Sequence, residues 1–537
     1  MYIKILVSVL ILFCNHSLIF PQSKDVKWEN LFDGKTLNGW RQINGKAKFF
    51  VENGMIVGES VPNSPNSFLC TEKSFGNFIL ELDFKVDEGL NSGIQIRSKS
   101  ILEYQNGRVH GYQVEIDPSQ SPYSGYPPNF KDNGQMVSPG AEPRCWTGGI
   151  YDEGRRGWLF DLTHNEKARL AFKPNQWNNI RIEAIGDVIK TWINDIPAAN
   201  LVDGMTPNGF IGLQVHATEE HKPMRVYFKN IRIKDLGYND SPEENYNLLL
   251  GDWYSRNLCA QLYVKDENYF INILNTLEDN LNPIAVLKCF YNSKDSLLFE
   301  GNGWKGKIFN SRLQLINSNK KYELRHIVRH SSTLNAQPPN NAIILFDGVN
   351  LDSWGKQKPK DWLTIEGAAT NWKLIPGGKI EAVPGNGSII TKKNFKDFKL
   401  HAEFRLLGKP TNGGIYLLSR YEVNIKDSYG QLSGEPCAAL GNIAEPPIKN
   451  IPNAALPPFQ WQTLDIEFKA PRFDANGNKI QNARITTYLN GIKLYENIEP
   501  VKLKGAATRL GEAESGPIML QEHGTEYQFR NIWIVEY

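Results

Sequence analysis

Polar side chains alternate with apolar ones along several short segments in the first half of the chain. In GYQVEID, for example, Gln113, Glu115 and Asp117 alternate with apolar neighbours. Successive side chains of a strand point to opposite faces, so this alternation predicts one shared polar face. Such side chains form bidentate hydrogen bonds or transfer protons, which suits general acid–base chemistry or the binding of a hydroxylated ligand. The residues predicted for this face are Glu81, Asp83, Gln95, Arg97, Gln113, Glu115, Asp117, Gln214 and His216.

A second group of polar and aromatic residues follows a long Pro-, Gly- and Ser-rich loop from Pro118 to Cys145. Long loops inside compact domains usually carry function, so we interpret this group as part of a site. A purely structural role is the alternative in both cases. The second group would then be a solvated turn with a local salt bridge, and the polar face would be the solvent side of an amphipathic sheet. The group lies in WTGGIYDEGRRGWLF and comprises Trp146, Tyr151, Asp152, Glu153, Arg155, Arg156 and Trp158.

The elements that position these residues occur twice. LFDGKTLNGW at residues 31–40 returns as LFDGVNLDSW at residues 345–354, and NSGIQIRS, GYQVEID and GLQVH return in the same order as NGGIYLLS, RYEVNIKD and MLQEH. This ordered repeat indicates a duplication. The predicted organisation is a signal peptide (1–23), copy one (26–236), a small β domain (245–333), a linker (334–342) and copy two (343–537). The corresponding candidates in copy two are Glu403, Arg420, Glu422, Asn424, Gln521 and His523.

Composition and periodicity predict an all-β protein. A chain of 537 residues is too long for one core, and no segment has a sustained apolar stripe at helical spacing. Frequent aromatic, glycine and proline residues suit short strands joined by turns and surfaces for sugar rings. A charged fraction of 22% disfavours disorder, and a net charge of +2 gives no reason to expect nucleic acid as a partner.

The first residues predict export. Lys4 precedes an apolar run of signal-peptide length that is too short to span a bilayer. Lipid attachment at Cys14 is disfavoured, because Phe13 before it is bulky. The cysteine spacing suits neither a zinc site nor a disulfide scaffold. Cys259 and Cys289 are the one pair that could bond in an oxidising compartment, and Cys70, Cys145 and Cys437 are expected as buried thiols.

In these motifs both copies resemble the 3-keto-disaccharide hydrolase domain family. The motifs are LFDGKTLNGW, NSGIQIR, GYQVEID, TGGIYDEGRRGWL and GFIGLQVH in copy one, and LFDGVNLDSW, NGGIYLLSRYEVNI and PIMLQEHG in copy two. The resemblance implies a concanavalin A-like jelly roll for each copy and action on glycosides that carry a ketone at C3. Copy two has Leu418 in place of Arg97 and lacks YDEGRRGWL, whereas copy one has Ala217 where copy two has Gly524. The resemblance does not locate the catalyst.

The leading hypothesis is cleavage of 3-keto-glycosides by proton abstraction at C2, β-elimination and hydration. Such a site needs a base, a stabiliser for the enolate and an acid. We expect it in copy one, with Glu115 or His216 as the base. The arginines Arg97, Arg155 and Arg156 are the predicted stabilisers, and Glu153 or Asp152 the predicted acid. A divalent cation held by Asp117, Glu115 and His216 is an alternative to the arginines, although the spacing does not require it.

Two other functions fit the same residues. One is a carbohydrate-binding protein without catalytic activity, with the Trp and Tyr residues as ring platforms. The other is an ordinary two-carboxylate glycosidase, for which Glu115 and Asp117 are the best pair. Their carboxyl groups are expected to lie near the separation of roughly 5 to 5.5 Å that is typical of a retaining enzyme.

Overall fold

The computed structural model describes most of the chain. The described ranges are 26–102, 104–119, 131–132, 135–136, 145–239, 249–255, 257–266, 268–293, 296–309, 312–375, 377–408, 411–433, 435–440, 451–500, 503 and 505–537. The predicted signal peptide, Cys14 and most of the loop after Pro118 lie outside these residues. Within them, no helix is both long enough and apolar enough to cross a membrane.

Copy one is a sandwich of two antiparallel sheets. The polar sheet contains, in spatial order, Gly157–Phe160, Ile150–Glu153, His110–Ile116, Ser92–Lys99, Phe210–Val215, Ser67–Thr71 and Trp40–Ile43. The backing sheet contains Ile196–Val202, Val188–Ile193, Asn178–Ile185, Asn77–Val86, Arg225–Gly237, Met55–Glu59 and Lys48–Glu52, with Glu29–Asn30 paired to Arg225–Gly237. A small hairpin of Lys131–Asp132 and Gln135–Met136 and a short helix, Glu166–Ala171, complete this unit.

Copy two repeats this arrangement with different edges. Its polar sheet contains Asp361–Ala368, Trp354–Lys358, Ile389–Thr391, Met519–Leu520, Asn412–Leu417 and Tyr421–Lys426. Its backing sheet contains Lys373–Ile375, Lys379–Glu381, Tyr527–Glu536, Phe398–Leu406, Gln462–Lys469, Arg484–Leu489 and Ile492–Ile498, with Ile343–Phe346 paired to Tyr527–Glu536. Arg472–Phe473 and Lys479–Gln481 form a hairpin, and Gly505–Arg509 forms a 3-10 helix.

The middle segment forms a closed antiparallel barrel in which each strand pairs with the next and the last with the first. Its strands are Gly251–Ser255, Leu258–Lys265, Asn268–Leu274, Ala285–Ser293, Ser296–Gly301, Trp304–Phe309, Arg312–Asn317 and Lys320–Ile327. Apolar side chains such as Trp253, Ile271 and Leu313 fill the interior as one cluster.

Period-2 alternation explains the two sandwich cores. In the strand Asn77–Val86, Phe78, Leu80, Leu82 and Phe84 are fully buried between the sheets, while the residues between them are partly exposed. Burial of apolar surface stabilises each core by about 25 cal/mol per Å². The predicted all-β architecture, with two sandwiches that flank a small β domain, is confirmed.

The disulfide considered for Cys259 and Cys289 does not form. Both are buried free thiols, because they lie in different apolar clusters.

The linker is hydrogen-bonded to copy two. The Asn335 backbone amide donates to Glu403 Oε1 at 2.5 Å, and Asn531 Nδ2 donates to the Ala336 carbonyl oxygen at 3.0 Å. These bonds attach the linker to the outer face of the copy-two backing sheet.

The three folded units also contact one another directly. Between the barrel and copy two, Tyr429 Oη donates to Asp252 Oδ1 at 2.9 Å and Asn280 Nδ2 donates to the Asn453 carbonyl oxygen at 2.8 Å. Between the two copies, Lys379 Nζ lies 2.6 Å from Asp187 Oδ2.

Candidate functional site

A row of polar and aromatic side chains crosses the polar sheet of copy one. Cross-strand pairing places Gln95 opposite Gln113, Gln113 opposite Tyr151, and Tyr151 opposite Trp158. Cross-strand neighbours project from the same face of a sheet. The structure therefore brings these four predicted residues together.

The carboxylate of Glu115 lies beside this row and is held by two amide groups. Asn91 Nδ2 donates to Oε1 at 2.7 Å, and Gln113 Nε2 donates to Oε2 at 2.7 Å. Gln113 in turn accepts a hydrogen bond from Gln95 Nε2, and Ser98 Oγ donates to Gln95 Oε1 at 2.8 Å. Donors on both oxygens fix the orientation of this carboxylate.

Close packing around Gly93 fixes the position of Gln113. Gly93 pairs with Glu115 across the strands, and a Cβ at this glycine would lie 2.5 Å from the Gln113 side-chain carbonyl carbon. Any larger residue would displace the amide that holds the carboxylate. The glycine in NSGIQIRS therefore has a local structural reason.

Gln214 has a buried amide group with unused hydrogen-bonding capacity. The residue is 0% exposed, and neither its Oε1 nor its Nε2 has a hydrogen-bond partner. Asn91 Oδ1, on the residue that binds Glu115, is also buried without a partner. Each such atom costs about 1–3 kcal/mol. A ligand that both donates and accepts hydrogen bonds would remove this cost.

His216 follows the end of the strand Phe210–Val215 and is partly exposed. Its Nδ1 lies 2.8 Å from the Ala217 carbonyl oxygen. A carbonyl oxygen only accepts hydrogen bonds, so this contact places the hydrogen on Nδ1 and leaves Nε2 of the neutral ring able to accept a proton.

Arg97 does not lie on the polar face, contrary to the prediction. A β-bulge follows Ile96, and Arg97 has a φ of 47°, in the left-handed region. Its buried guanidinium donates to the carbonyl oxygens of Gly76 at 2.8 Å and Gly186 at 2.7 Å. Burial lowers the pKa of Arg97 to about 10. The bulge turns this side chain toward the backing sheet, so Arg97 cannot act beside Glu115.

Asp152, Arg155 and Arg156 also lie away from the polar face. Asp152 pairs across the strands with Tyr112, whose ring belongs to the sandwich core. Asp152 Oδ1 accepts from Arg155 Nε at 2.8 Å, and Oδ2 accepts from Arg156 Nε at 2.6 Å. These three residues therefore do not lie beside Glu115, where their predicted roles as acid and enolate stabilisers would require them. They form a buried ionic network, whereas the structural alternative considered for YDEGRRGWL was a solvated turn with a local salt bridge.

Asp203 completes this network and was missed from the sequence. It accepts from Arg156 Nη1 at 2.8 Å and from the Tyr112 hydroxyl. Burial alone would raise the pKa of Asp203, but the charge and hydrogen bonds of Arg156 lower it to about 2. No motif in the sequence connects Asp203 with Arg156, since the two lie on separate strands and turns.

Glu81 and Asp83 belong to the backing sheet, because the strand Asn77–Val86 does not join the polar sheet as expected. Glu81 Oε2 accepts from Arg232 Nη2 at 2.7 Å, and Asp83 Oδ2 accepts from Asn230 Nδ2 at 2.6 Å. These carboxylates are therefore separated from Glu115 by the sandwich core.

Asp117 holds the ends of the long loop. Its carboxylate accepts from the backbone amides of Ser119 at 3.1 Å and Trp146 at 3.3 Å. This engagement does not support a paired catalytic role with Glu115. Trp146 is 3% exposed and packs edge-on against Trp158, with ring centroids 4.8 Å apart.

Glu153 lies on the same face as Tyr151, near the end of the sheet. It pairs across the strands with Gly111, and Arg108 Nη2 donates to its Oε1 at 3.1 Å. Of the two predicted acids, only Glu153 shares a face with Glu115.

Sequence reasoning missed Asn91, although a signal was present. Positions 91, 93 and 95 alternate with the buried residues 92, 94 and 96, so the period-2 pattern of NSGIQIRS places Asn91 on the face of Gln95.

Copy two has a different arrangement at the corresponding positions. Glu422 pairs with Tyr416 across the strands and accepts a hydrogen bond from its hydroxyl. Asn424 Oδ1 accepts from the Ala439 backbone amide at 3.1 Å, and Gln521 Nε2 lies 3.5 Å from the Tyr416 oxygen. These predicted residues share one face, with His523 beside it at 3.3 Å from Asn412 Nδ2.

Two predicted copy-two residues lie elsewhere. Glu403 is on the backing sheet, where Arg530 Nε donates to it at 2.6 Å. Arg420 lies in a turn and donates to the Gly511 carbonyl oxygen at 2.8 Å. Neither belongs with Glu422.

The predicted metal alternative finds no further support in the contacts. Among the described residues, no group of three or more His, Cys, Asp and Glu side chains is arranged to hold a metal ion.

The fold and the polar face define a tandem β-sandwich protein. More specifically, the chain belongs to the 3-keto-alpha-glucoside-1,2-lyase-like domain family, whose model matches residues 27–234 and 341–535.

Individual proteins are similar to parts of the chain. The chain is 28% identical over 251 residues to a 3-keto-disaccharide hydrolase of Bacteroides thetaiotaomicron, an alignment that covers 41% of this chain and 82% of the relative. It is similar to the structure of a protein from Parabacteroides distasonis that has been proposed to be a glycosyl hydrolase, with 28% identity, a TM-score of 0.32, and coverage of 37% of this chain and 85% of that one. It also matches a Bacillus licheniformis β-glucanase with 12% identity, a TM-score of 0.24, and coverage of 40% and 99%.

Proposed function

We propose that the chain is an enzyme that cleaves 3-keto-glycosides at the polar face of copy one. The observation that supports this most is the Glu115 carboxylate, held by Asn91 and Gln113 beside the unpartnered amide of Gln214. Membership of the family and the activity named for the Bacteroides relative support the substrate class.

In the proposed mechanism, Glu115 removes the proton at C2, which the ketone at C3 has made acidic. The C–H electron pair forms an enolate, and its collapse breaks the C1–O bond, so that the aglycone leaves as an alcohol after it takes up a proton. Water then adds across the C1–C2 double bond and releases the free 3-keto sugar. His216 is the alternative base, since its Nε2 is able to accept a proton.

The enolate is proposed to be stabilised by amide groups, because the predicted arginines lie elsewhere. Gln214 Nε2 is buried and has no hydrogen-bond partner. In contrast, Gln95 Nε2 donates to Gln113, and Gln113 Nε2 donates to Glu115. A preorganised donor of this kind is worth about 2.7–4 kcal/mol in comparable sites. Glu153 or a protonated His216 is proposed to donate the proton to the leaving oxygen.

Glu115→Gln is the decisive variant, and Glu422→Gln in copy two is its matched control. We expect Glu115→Gln to lower turnover of a 3-keto-disaccharide by about a hundredfold or more, the usual contribution of a general base. Glu422→Gln should have little effect, and the plain disaccharide should not be cleaved. Release from the plain disaccharide alone would favour an ordinary glycosidase, and full activity of Glu115→Gln would refute the assignment.

Copy two is proposed to bind carbohydrate without cleaving it. Trp362 packs edge-on against Tyr416 with ring centroids 5.1 Å apart, and Ile390 and Met519 form an apolar floor beneath them. Aromatic and apolar surface beside a few polar groups is typical of a site that binds a sugar ring. Glycoside binding that survives Glu115→Gln but is weakened by Trp362→Ala would support this role.

The site is proposed to act outside the cytoplasm, since the N-terminal run resembles a signal peptide. Mass spectrometry of the mature protein from its native host should find an N-terminus near residue 20, and an intact Met1 would refute export by cleavage.

A further inference from the structure

A cavity of about 680 Å³ lies where the three folded units meet. Copy one lines it with Trp158, Asp161 and Asn200, the segment around the barrel with Asn280 and Arg329, and copy two with residues that include Asn453. Cavities of roughly 300–1,000 Å³ at domain interfaces are the usual size and place of ligand sites.

The walls of this cavity are fixed by hydrogen bonds. Asn280 Nδ2 donates to the Asn453 carbonyl oxygen at 2.8 Å, and Arg329 Nε donates to Asp252 Oδ2 at 2.6 Å. These bonds join the barrel to copy two and hold the arginine in place, so the cavity is formed before any ligand enters.

The chemistry of the lining suits a neutral, hydroxylated ligand. Asp252 neutralises Arg329, while Glu278 adds negative charge, so the cavity does not favour anions. Asn280 Oδ1 and Arg329 Nη2 are an acceptor and a donor in the wall that are buried without hydrogen-bond partners. A ligand with several hydroxyl groups can satisfy both kinds of atom.

The cavity also continues the row that crosses the polar sheet of copy one. Trp158 lines the cavity, packs edge-on against Tyr151 with ring centroids 5.4 Å apart, and is two strands away from Gln113. Strands in a sheet lie about 4.8 Å apart, so Trp158 at the edge of the cavity lies about 10 Å from Gln113, the residue that holds Glu115. The two aromatic rings occupy the intervening distance.

We propose that this cavity binds the distal part of a neutral oligosaccharide whose terminal sugar lies at Glu115. This inference rests on the proposed function for the position of the terminal sugar. Trp158 and Tyr151 provide ring contacts along the way, and the polar atoms of the cavity bind hydroxyl groups. Glycosides longer than a disaccharide are therefore the preferred substrates, and shorter ones are cleaved without the contribution of the cavity.

The first test measures binding alone. The full chain with Glu115→Gln is titrated by calorimetry with unoxidised gluco-, xylo- and manno-oligosaccharides of increasing length. We expect affinity for at least one series to rise with length, and Trp158→Ala to raise Kd for its long members about tenfold. Asn200→Trp, which fills the cavity from an exposed position, should have the same effect. Trp177→Ala is the matched control, because this ring lies over Lys229 Nζ, away from the cavity.

Either of two results would overturn the proposal: affinity that does not depend on length in any series, or cavity variants that bind like the Trp177→Ala control. Asn200→Trp keeps the test valid if loss of Trp158 prevents folding. The second test compares kinetics on short and long 3-keto-glycosides, where the cavity variants should raise KM for long substrates only. Length-dependent binding without any cleavage would refute the proposed function and leave the cavity proposal standing. Cleavage without length dependence would refute the cavity proposal and leave the proposed function standing.

Discussion

Gln113 donates a hydrogen bond to the Glu115 carboxylate at 2.7 Å, and copy two has the two residue types in exchanged positions. Glu422 stands where copy one has Gln113, and Asn424 stands where it has Glu115. In copy two the carboxylate accepts from the Tyr416 hydroxyl, and the amide of Asn424 is used by the Ala439 backbone. The duplication has therefore kept one carboxylate and one amide on each face. In copy two, however, the carboxylate lies two residues earlier along the strand than in copy one.

Removal of the Gln113 amide should slow the chemical step. Gln113 Nε2 holds one oxygen of the Glu115 carboxylate, so Gln113→Leu leaves the proposed base with one positioning donor fewer and should lower kcat on a 3-keto-glycoside about tenfold or more. Trp177→Ala, which lies away from this face, should leave kcat near the parental value. Full activity of Gln113→Leu would show that this hydrogen bond does not position the base.

The fold could be predicted from the sequence because its determinants are local. Alternation along GYQVEID and NSGIQIRS correctly placed Gln95, Gln113 and Glu115 on one face, since a strand has a fixed period of two. The same pattern could not show that Glu81 belongs to the opposite sheet, because which strands become neighbours depends on contacts between distant residues.

Arg97 and Asp152 show why the rest of the site could not be predicted. The bulge after Ile96 reverses the side of the sheet on which Arg97 lies, and a bulge leaves no clear mark in a single sequence. Asp152 was predicted as an acid of the site, with a solvated turn as the alternative, and neither describes its buried position. Its burial depends on Asp203, which lies far along the chain.

The buried network should contribute to stability and not to the chemical step. Asp203→Asn leaves Arg156 with a weaker partner inside the protein, and the loss of one member of a buried pair typically costs about 3–5 kcal/mol. We expect a clear fall in the free energy of unfolding measured with urea, while kcat/KM per folded molecule stays near the parental value. A stable Asp203→Asn protein without activity would contradict this prediction and show that the network takes part in catalysis.

His401 should make the stability of copy two depend on pH. Burial alone would lower the pKa of His401, but its hydrogen bonds and charge interactions with Asp465 and Glu403 raise it to about 9. Because the folded value exceeds the unfolded value of about 6.5, the contribution is complete below about 6.5 and disappears as the pH rises through about 9. It amounts to at most about 3 kcal/mol.

The free energy of unfolding is measured for the parent and for His401→Gln. The measurements run from about pH 6 to about pH 10, which spans the titration of this residue. We expect the difference between the two proteins to shrink across this range. A constant difference would show that His401 is neutral in the folded protein.

The ion pair between Asp187 and Lys379 should couple the unfolding of the two copies. Asp187 is 2% exposed and Lys379 0%, so the loss of one partner leaves the other as a buried charge and should cost about 3–5 kcal/mol. We expect Lys379→Met to lower the first calorimetric transition or separate it from the next, and Lys379→Met with Asp187→Leu to recover part of the loss, because the two effects are not additive. Lys305→Met is the matched control, since its exposed pair with Glu300 is worth about 1 kcal/mol or less. If Lys379→Met behaves like this control, the contact between the copies does not depend on the ion pair.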